Sequence, residues 1–363
     1  MMYNSLTING QHFEKAALLV LANQHLADSK LSEWERDFYS FVKDWLGDSP
    51  FIEVTTSGST GTAKPMQLEK EHMVQSALMT GVYFNLRPEQ KALLCLPTTF
   101  IAGKMMVVRS FVLKLNLVLV PPDSNPVTEL PYPVDFTAMT PMQVQAAFQA
   151  NGQQQLANMG QLIIGGGTIS APLQSSIESL QNPAFSTFGM TETITHIALK
   201  RLNGEKKSDC YQAINGVSFS VDSRNCLVIS APHVGQPSLV TNDVVELVDE
   251  QQFVWKGRYD NVINTGGVKV SPEQVEQLLA PIIPQRFFVI GSADPVLGEA
   301  VTLVLEGTRP DDASLQLLKV RVVAATTKFH RPRLIGFADA FEETPTGKIR
   351  RKDTLNVSKI IRW

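Results

Sequence analysis

Between Thr55 and Pro65 the sequence packs hydroxyl side chains, two glycines and a lysine into one short run, Thr-Thr-Ser-Gly-Ser-Thr-Gly-Thr-Ala-Lys-Pro. Glycine lets a backbone turn sharply and approach a ligand closely. Successive N–H groups and hydroxyls donate to phosphate oxygens, and lysine adds a mobile positive charge. Thr56, Ser57, Gly58, Ser59, Thr60, Gly61 and Lys64 are therefore candidate phosphate ligands, although their spacing is not G-x-x-x-x-G-K-[ST]. Gly165-Gly166-Gly167 closes a Leu-Ile-Ile run. Open α/β sheets receive ligands at such strand ends, although an ordinary tight turn reads the same way. Arg109 ends the run Met105-Met106-Val107-Val108 on an apolar helical stretch. A buried arginine is costly unless paired, and a guanidinium suits bidentate recognition of a carboxylate. Its partner is either an internal Asp or Glu or an anionic ligand. No Ser/His/Asp or Cys/His arrangement signals a protein nucleophile.

The elements that must hold these residues alternate. Residues 12–46 are expected to be helical, with Trp34, Phe38, Phe41 and Trp45 recurring at spacings of three and four. Strand Ile52–Thr55 leads into the hydroxyl-rich loop and helix Glu69–Phe84 follows it. Strands Ala92–Leu96, Leu115–Val120, Phe136–Met139 and Leu162–Ile164 are separated by helix Ala102–Leu113 and a helix over 141–158. That alternation predicts an α/β protein with mainly parallel, layered sheets. From His196 to Lys256 short β segments suggest a smaller antiparallel subdomain, about 196–257. Beyond Gly257-Arg258-Tyr259-Asp260 come helices Pro272–Leu279 and Ala313–Ala325 and strands Phe287–Gly291 and Ala300–Glu306, a small α+β domain. The expected division is 1–257 and 258–363.

The composition excludes several classes. Charged residues are 18% and hydrophobic residues 44% of 363, so the chain is globular. A net charge of −3 argues against a nucleic-acid-binding face. Cys95, Cys210 and Cys226 form no C-x-x-C pair, which predicts three reduced thiols in a cytoplasmic protein. The longest apolar run, Ala16–Ala22, is too short for a bilayer and follows no basic leader, so neither a membrane anchor nor a signal peptide is expected.

Taken in order, the motifs resemble those of the adenylate-forming superfamily, which includes acyl-CoA synthetases and luciferases. The likeness covers about residues 50–355 and leaves a reduced N-terminal subdomain. It implies ATP, Mg²⁺ and coenzyme A as reactants and a C-terminal domain that moves. The loop at 56–64 would bind phosphate and Gly165, Gly166 and Gly167 would border the adenine. Phe188-Gly189-Met190-Thr191-Glu192-Thr193 resembles the family's aromatic-Gly-x-Thr-Glu motif. Phe188 and Gly189 would lie against adenine, Thr191 would touch the α-phosphate and Glu192 would hold Mg²⁺, a cation of oxygen ligands. Thr241-Asn242-Asp243 has Asn where the family has Gly; Asp243 and Arg258 would bind the ribose. Asp260 would be the hinge, and Gly266 and Gly267 would face coenzyme A. Pro345-Thr346-Gly347-Lys348-Ile349 matches the motif of the catalytic lysine, Lys348, with Arg350, Arg351 and Lys352 read as a solvated tail.

The acid pocket narrows the resemblance to the o-succinylbenzoate–CoA ligases of menaquinone synthesis. Phe100 stands where many members have His, Gly103 follows, and in that branch an arginine at the place of Arg109 lies near the substrate's aromatic carboxylate. His196 either lines that pocket or is a satisfied structural histidine. Another aryl or medium-chain acid, an adenylation protein loading a separate carrier protein, and a non-catalytic nucleotide sensor are the competing readings. A homodimer is left open.

Overall fold

The computed structural model describes residues 3–55, 65–128, 130, 132–344 and 348–363. The phosphate-loop candidates Thr56, Ser57, Gly58, Ser59, Thr60, Gly61 and Lys64 lie outside them. The chain divides into two compact units, one of Met1–Thr168, Ser176–Ser218 and Ile229–Leu239, the other of Ile169–Ser175, Phe219–Val228 and Val240–Trp363.

The first unit begins with a hairpin of β1 (Leu6–Ile8) and β2 (Gln11–Phe13). Its turn, Asn9-Gly10, has φ of 48° and 85°, the left-handed pair of a type I′ turn. The stretch expected to be one helical region is this second strand and two helices, α1 (Lys15–Ala27) and α2 (Glu33–Leu46). α2 buries Phe38, Phe41 and Trp45 of the anticipated stripe, with Val42 beside them, while Trp34 is only half-buried. β3 (Phe51–Thr55) pairs antiparallel with β4 (Pro65–Glu69), so the two ends of the hydroxyl-rich loop, Thr55 and Pro65, stand opposite each other. α3 (Lys70–Phe84) follows.

Next come β5 (Lys91–Leu94), α4 (Ile101–Leu113), β6 (Asn116–Leu119), β7 (Val134–Met139), α5 (Pro141–Gln149), α6 (Gln153–Ala157), β8 (Met159–Ile164), α7 (Ala171–Glu178), β9 (Ala184–Gly189), β10 (His196–Arg201) and β11 (Tyr211–Ala213). The helix expected over 141–158 breaks at Asn151, whose φ of 58° ends α5. The order within this unit's sheet is β2-β1-β6-β5-β7-β8-β9-β10-β11. β1, β6, β5, β7, β8 and β9 run parallel; β10 and β11 continue the sheet antiparallel. The carboxyl ends of β5, β7, β8 and β9 therefore lie along one edge, where such sheets bind ligands.

The rest of the chain adds β12 (Ser218–Val221), β13 (Cys226–Ala231), β14 (Gln236–Asp249) and β15 (Gln252–Arg258). In the second unit β14 and β15 pair antiparallel with Asp243 opposite Arg258. Then follow β16 (Ile263–Thr265), β17 (Val268–Val270), α8 (Pro272–Leu279), β18 (Phe287–Asp294), β19 (Gly298–Glu306), α9 (Asp312–Ala325), β20 (Leu334–Ala338), α10 (Arg351–Val357) and β21 (Lys359–Arg362). The smaller sheet has β19 at its centre, antiparallel to β18 and parallel to β20. Its core is Val270, Val275, Leu279, Val289, Val301, Leu303 and Ile335. α8 starts where its sequence says it must: Ser271 caps it by accepting from the Gln274 N–H, and Pro272 fills the first turn. The α/β class expected from the sequence is the class observed. Among the described residues no helix is long and apolar enough to cross a membrane.

Candidate active site

Gly165, Gly166 and Gly167 directly follow β8, with Gly166 and Gly167 exposed. β9 ends one strand over in Phe188 and Gly189, and a 3₁₀ turn, Thr191–Thr193, follows at once. The adenine and α-phosphate candidates of this unit thus share one sheet edge. Phe188 is half-buried and meets Tyr211 edge to face, ring centroids 5.7 Å apart. Glu192 is half-exposed and has no ion-pair partner among the described residues. Among the described residues no group of three His, Cys, Asp or Glu side chains gathers to hold a metal by itself. One carboxylate fits a divalent cation whose remaining ligands are phosphate oxygens and water.

The turn after Glu192 is held in a strained conformation. Buried Ile194 has φ 66° and ψ −59°, and the Thr195 N–H donates to the Thr193 carbonyl at 2.7 Å. That is a γ-turn of the rare positive-φ kind, costly for a β-branched residue. Thr193, fully buried, stabilises it: its hydroxyl accepts from the Met190 N–H at 3.0 Å and contacts the Thr195 carbonyl at 2.9 Å. The turn leaves Glu192 near solvent and sends Thr195 and His196 inward.

There they meet Arg109, which is 1% exposed. Its Nε donates to Thr80 Oγ1 at 3.4 Å, its Nη2 to Thr195 Oγ1 at 3.1 Å and its Nη1 to Met106 Sδ at 3.4 Å. Its guanidinium lies 5.9 Å from the centre of the Phe136 ring. A guanidinium carries five N–H groups, so these contacts leave two unengaged. Among the described residues no Asp or Glu lies within ion-pair distance. Burial pushes the Arg109 pKa down to about 9.

His196 completes the cluster. Its Nε2 is 3.3 Å from Thr80 Oγ1 and its Nδ1 is 3.4 Å from Thr195 Oγ1. The Thr80 hydroxyl donates to the Ser76 carbonyl at 3.0 Å, so it must accept from His196. The consistent assignment is a neutral imidazole protonated on Nε2, with Thr195 donating to Nδ1. Burial, and after it the Arg109 charge, holds the His196 pKa well below 6.5. His196 is thus satisfied within the Arg109 cluster. Thr80, Thr193 and Thr195 were not singled out from the sequence. Thr80 and His196 are 116 residues apart, and no spacing rule connects them.

Phe100 precedes α4 as its N-cap residue and is half-buried. Gly103 is buried, and a Cβ there would stand 2.2 Å from the Pro97 carbonyl oxygen. Its glycine is required by packing of α4 on the Leu96-Pro97 turn.

In the second unit, Asp243 is buried and its Oδ1 accepts from the Trp255 indole N–H at 2.9 Å. Burial raises its pKa against that bond and the Arg258 charge. Arg258 stands 3.8 Å from Asp243 and forks Asp260, Nε to Oδ1 at 3.2 Å and Nη2 to Oδ2 at 2.8 Å. The ribose candidate and the hinge candidate are therefore ion-paired. Asn242, the departure from the family motif, accepts from Arg224 Nη1 at 3.1 Å, and Arg224 Nη2 also holds the Thr241 carbonyl. Gly266 and Gly267 form the turn between β16 and β17 with φ of 59° and 81°. Lys348 is half-buried; burial, and then the charge of Arg258, lowers its pKa.

The basic segment after Lys348 corrects the sequence reading at one position. Arg351 is not solvated: it ion-pairs with Glu276 at 2.9 Å and donates to the Val289 carbonyl at 2.9 Å. Its partners lie far away in sequence, which is why local charge density suggested a tail.

A family model for AMP-binding enzymes matches residues 11–252. The probable 2-succinylbenzoate–CoA ligase of Mycobacterium tuberculosis H37Rv is 26% identical over 338 residues, covering 85% of each chain. The 2-succinylbenzoate–CoA ligase of Geobacillus sp. WCH70 is 23% identical over 386 residues, covering 93% of this chain and 77% of the relative. Among solved structures, an AMP-forming acyl-CoA synthetase/AMP-acid ligase II-like protein from Dyadobacter fermentans is 34% identical, with a TM-score of 0.61 and coverage of 93% of this chain and 97% of that one. The Bacillus subtilis o-succinylbenzoate CoA synthetase, in complex with its acyl-adenylate intermediate, has the same fold at 15% identity, with a TM-score of 0.77 over 97% of this chain and 95% of that one. The match over most of its length makes this chain a member of the AMP-binding enzyme family, an AMP-forming acyl-CoA ligase.

Proposed function

We propose that this ligase activates o-succinylbenzoate and transfers it to coenzyme A in menaquinone synthesis in the cytoplasm. The observation that carries the reading is Arg109: fully buried, two N–H groups unengaged, no acidic partner among the described residues. A desolvated cation without a counterion is unfavourable. The ring carboxylate of o-succinylbenzoate supplies one and the succinyl carboxylate remains free to react. The 2-succinylbenzoate–CoA ligases among the relatives support the same acid.

In the first half-reaction a succinyl carboxylate oxygen bonds to the α-phosphorus of ATP and the bond to pyrophosphate breaks. Phe188 and Gly165 to Gly167 border the adenine, Asp243 and Arg258 bind the ribose, and Thr191 and the loop from Thr56 to Lys64 bind phosphate. Glu192 is the protein ligand of the Mg²⁺ that ATP brings. Lys348 meets the charge that builds up between carboxylate and phosphate, the electrostatic role that most lowers such barriers. In the second half-reaction residues 258–363 turn about Asp260, which takes Lys348 away and brings Gly266 and Gly267 to coenzyme A. The thiol sulfur then bonds to the acyl carbon, AMP leaves and the thiol proton passes to solvent.

The test is pyrophosphate release across a panel of acids, with and without coenzyme A. The reading expects o-succinylbenzoate to give the highest kcat/KM and a thioester product. Preference for plain benzoates or fatty acids would overturn the acid. Transfer to a carrier protein but not to free coenzyme A would overturn the acceptor.

A further inference from the structure

Lys348 is bonded through its main chain to Thr344. The Thr344 N–H donates to the Lys348 carbonyl at 2.9 Å, the Lys348 N–H to Thr344 Oγ1 at 3.0 Å, and the Arg350 N–H to the Glu342 carbonyl at 2.7 Å. Beside them, Ile349 packs against the Phe288, Val304 and Phe341 cluster and Arg286 ion-pairs with Glu343. Arg351, three residues beyond Lys348, opens α10 and adds the tie that leads toward the hinge candidate. Its guanidinium reaches Glu276 with Nη2 on Oε2 at 3.1 Å and Nη1 2.9 Å from Oε1, and its Nη1 stands 3.9 Å from Glu273. Glu276 in turn accepts the Val289 N–H at 2.7 Å, and burial pushes its pKa up to about 7.

The chain of contacts continues to the hinge turn. Glu273, 6% exposed, accepts from Asn261 Nδ2 at 2.6 Å and from Ser271 Oγ at 3.1 Å. Asn261 is the neighbour of Asp260 in the turn Tyr259–Asn261. On the far side of that turn, a Cβ on Gly257 would stand 2.5 Å from Glu273 Oε2, so the carboxylate is packed against bare backbone. Among the described residues, Asn261 is thus linked to Arg351 through part-buried, charge-assisted contacts with Glu273 and Glu276, a stronger kind of bond than a neutral one.

We propose that Arg351, Glu276, Glu273 and Asn261 form a strut that positions Lys348 relative to the hinge turn, so that rotation at Asp260 moves the lysine as part of one body. The inference rests on the roles proposed above for Lys348 and Asp260. It predicts a loss confined to the half-reaction in which Lys348 acts, because misplacing a reacting group by about 1 Å can cost on the order of 10²-fold in rate.

The experiment measures two rates on the full chain: acid-dependent pyrophosphate release, and thioester formation from pre-made acyl-adenylate. The variants are Arg351→Lys, Asn261→Ala and the pair Arg351→Met with Glu276→Gln, which removes the ion pair without stranding either charge. The strut expects adenylation kcat to fall about 10-fold or more in Arg351→Lys and in the pair, and less in Asn261→Ala. KM for ATP should hold within about two-fold and thioester formation should fall far less. Equal losses in both half-reactions overturn it, as does wild-type adenylation in the pair, which would make the network purely structural. Lys348→Ala separates the two readings. If it adenylates normally, the role of the lysine itself fails. If it loses adenylation while the strut variants keep theirs, only the strut fails.

Discussion

Two arginines, Arg109 fully buried and Arg351 partly buried, sit in opposite circumstances. Arg351 in the second unit is forked by Glu276, flanked by Glu273 and bonded to a backbone carbonyl. Arg109 in the first unit has two hydroxyls, a sulfur and an aromatic ring, and no carboxylate among the described residues. Arg109 is wholly out of water and Arg351 partly so, and desolvation costs the first more than the second. Where the chain supplies the counter-charge, the arginine is a strut. Where it does not, the proposed function has an anion from outside complete the cluster. His196 sharpens the contrast, since its neutrality leaves the guanidinium as the one formal charge of its cluster.

The largest expected effect separates the two arginines by stability. Arg351→Met leaves Glu276 and Glu273 without their cation, and for this partly exposed pair the loss should reach at most about 3–5 kcal/mol, the range for breaking a fully buried one. Arg109→Met removes an unpaired cation and should leave the ligand-free protein as stable or more so. Urea melts of both variants decide this, and equal losses break the comparison. Activity reverses the ranking for Arg109: Arg109→Ala should cost about 2–5 kcal/mol in kcat/KM for o-succinylbenzoate, the range for stripping one partner from a buried charged pair. An analogue without the ring carboxylate should lose almost nothing, and parallel kinetics on the two acids would show it.

Ligand-induced stabilisation is the third measure. At a hundred times its Kd, o-succinylbenzoate should stabilise the wild type by about 2.7 kcal/mol. Arg351→Lys should keep that gain and Arg109→Ala should lose most of it at the same concentration. The smallest effect concerns pH. The folded pKa of His196 lies well below the unfolded value near 6.5, so the unfolded state binds the extra proton first. Stability therefore falls as pH drops below 6.5, with a slope of at most about 1.4 kcal/mol per pH unit. His196→Gln should flatten that part of the profile in thermal melts at pH 5 to 7.5.

Much of this fold was legible because its signals are local. Ser271-Pro272 set the start of α8, and a period of three and four placed Phe38, Phe41 and Trp45 inward. The Asn9-Gly10 hairpin was equally local and was passed over beside a longer helical pattern. β4 was missed because Pro65–Glu69 alternates for only five residues, too few to stand out from the helix that follows. The motif residues of the candidate site were readable in order, but their partners were not. Arg351 meets Glu276 75 residues away, and Arg109 meets Thr195 86 residues away. Tertiary pairing of that range leaves no periodicity in a sequence.

If the Arg109 cluster receives the acid as proposed, Gly103 limits how its preference can change. It lies six residues before Arg109 on the same helix, about 9 Å along the axis, and its bare α-carbon rests against a backbone carbonyl that cannot yield. α4 is thereby pinned like a key against its shoulder. It cannot slide to lengthen or shorten the space beside Arg109. New substrate ranges must come from exchanging side chains at Arg109, Thr80, Thr195 or Phe136, while any larger residue at 103 would shift every group on that helix together. A library built on those four positions with Gly103 held constant should yield altered acid profiles, and one that varies Gly103 should yield mostly inactive protein.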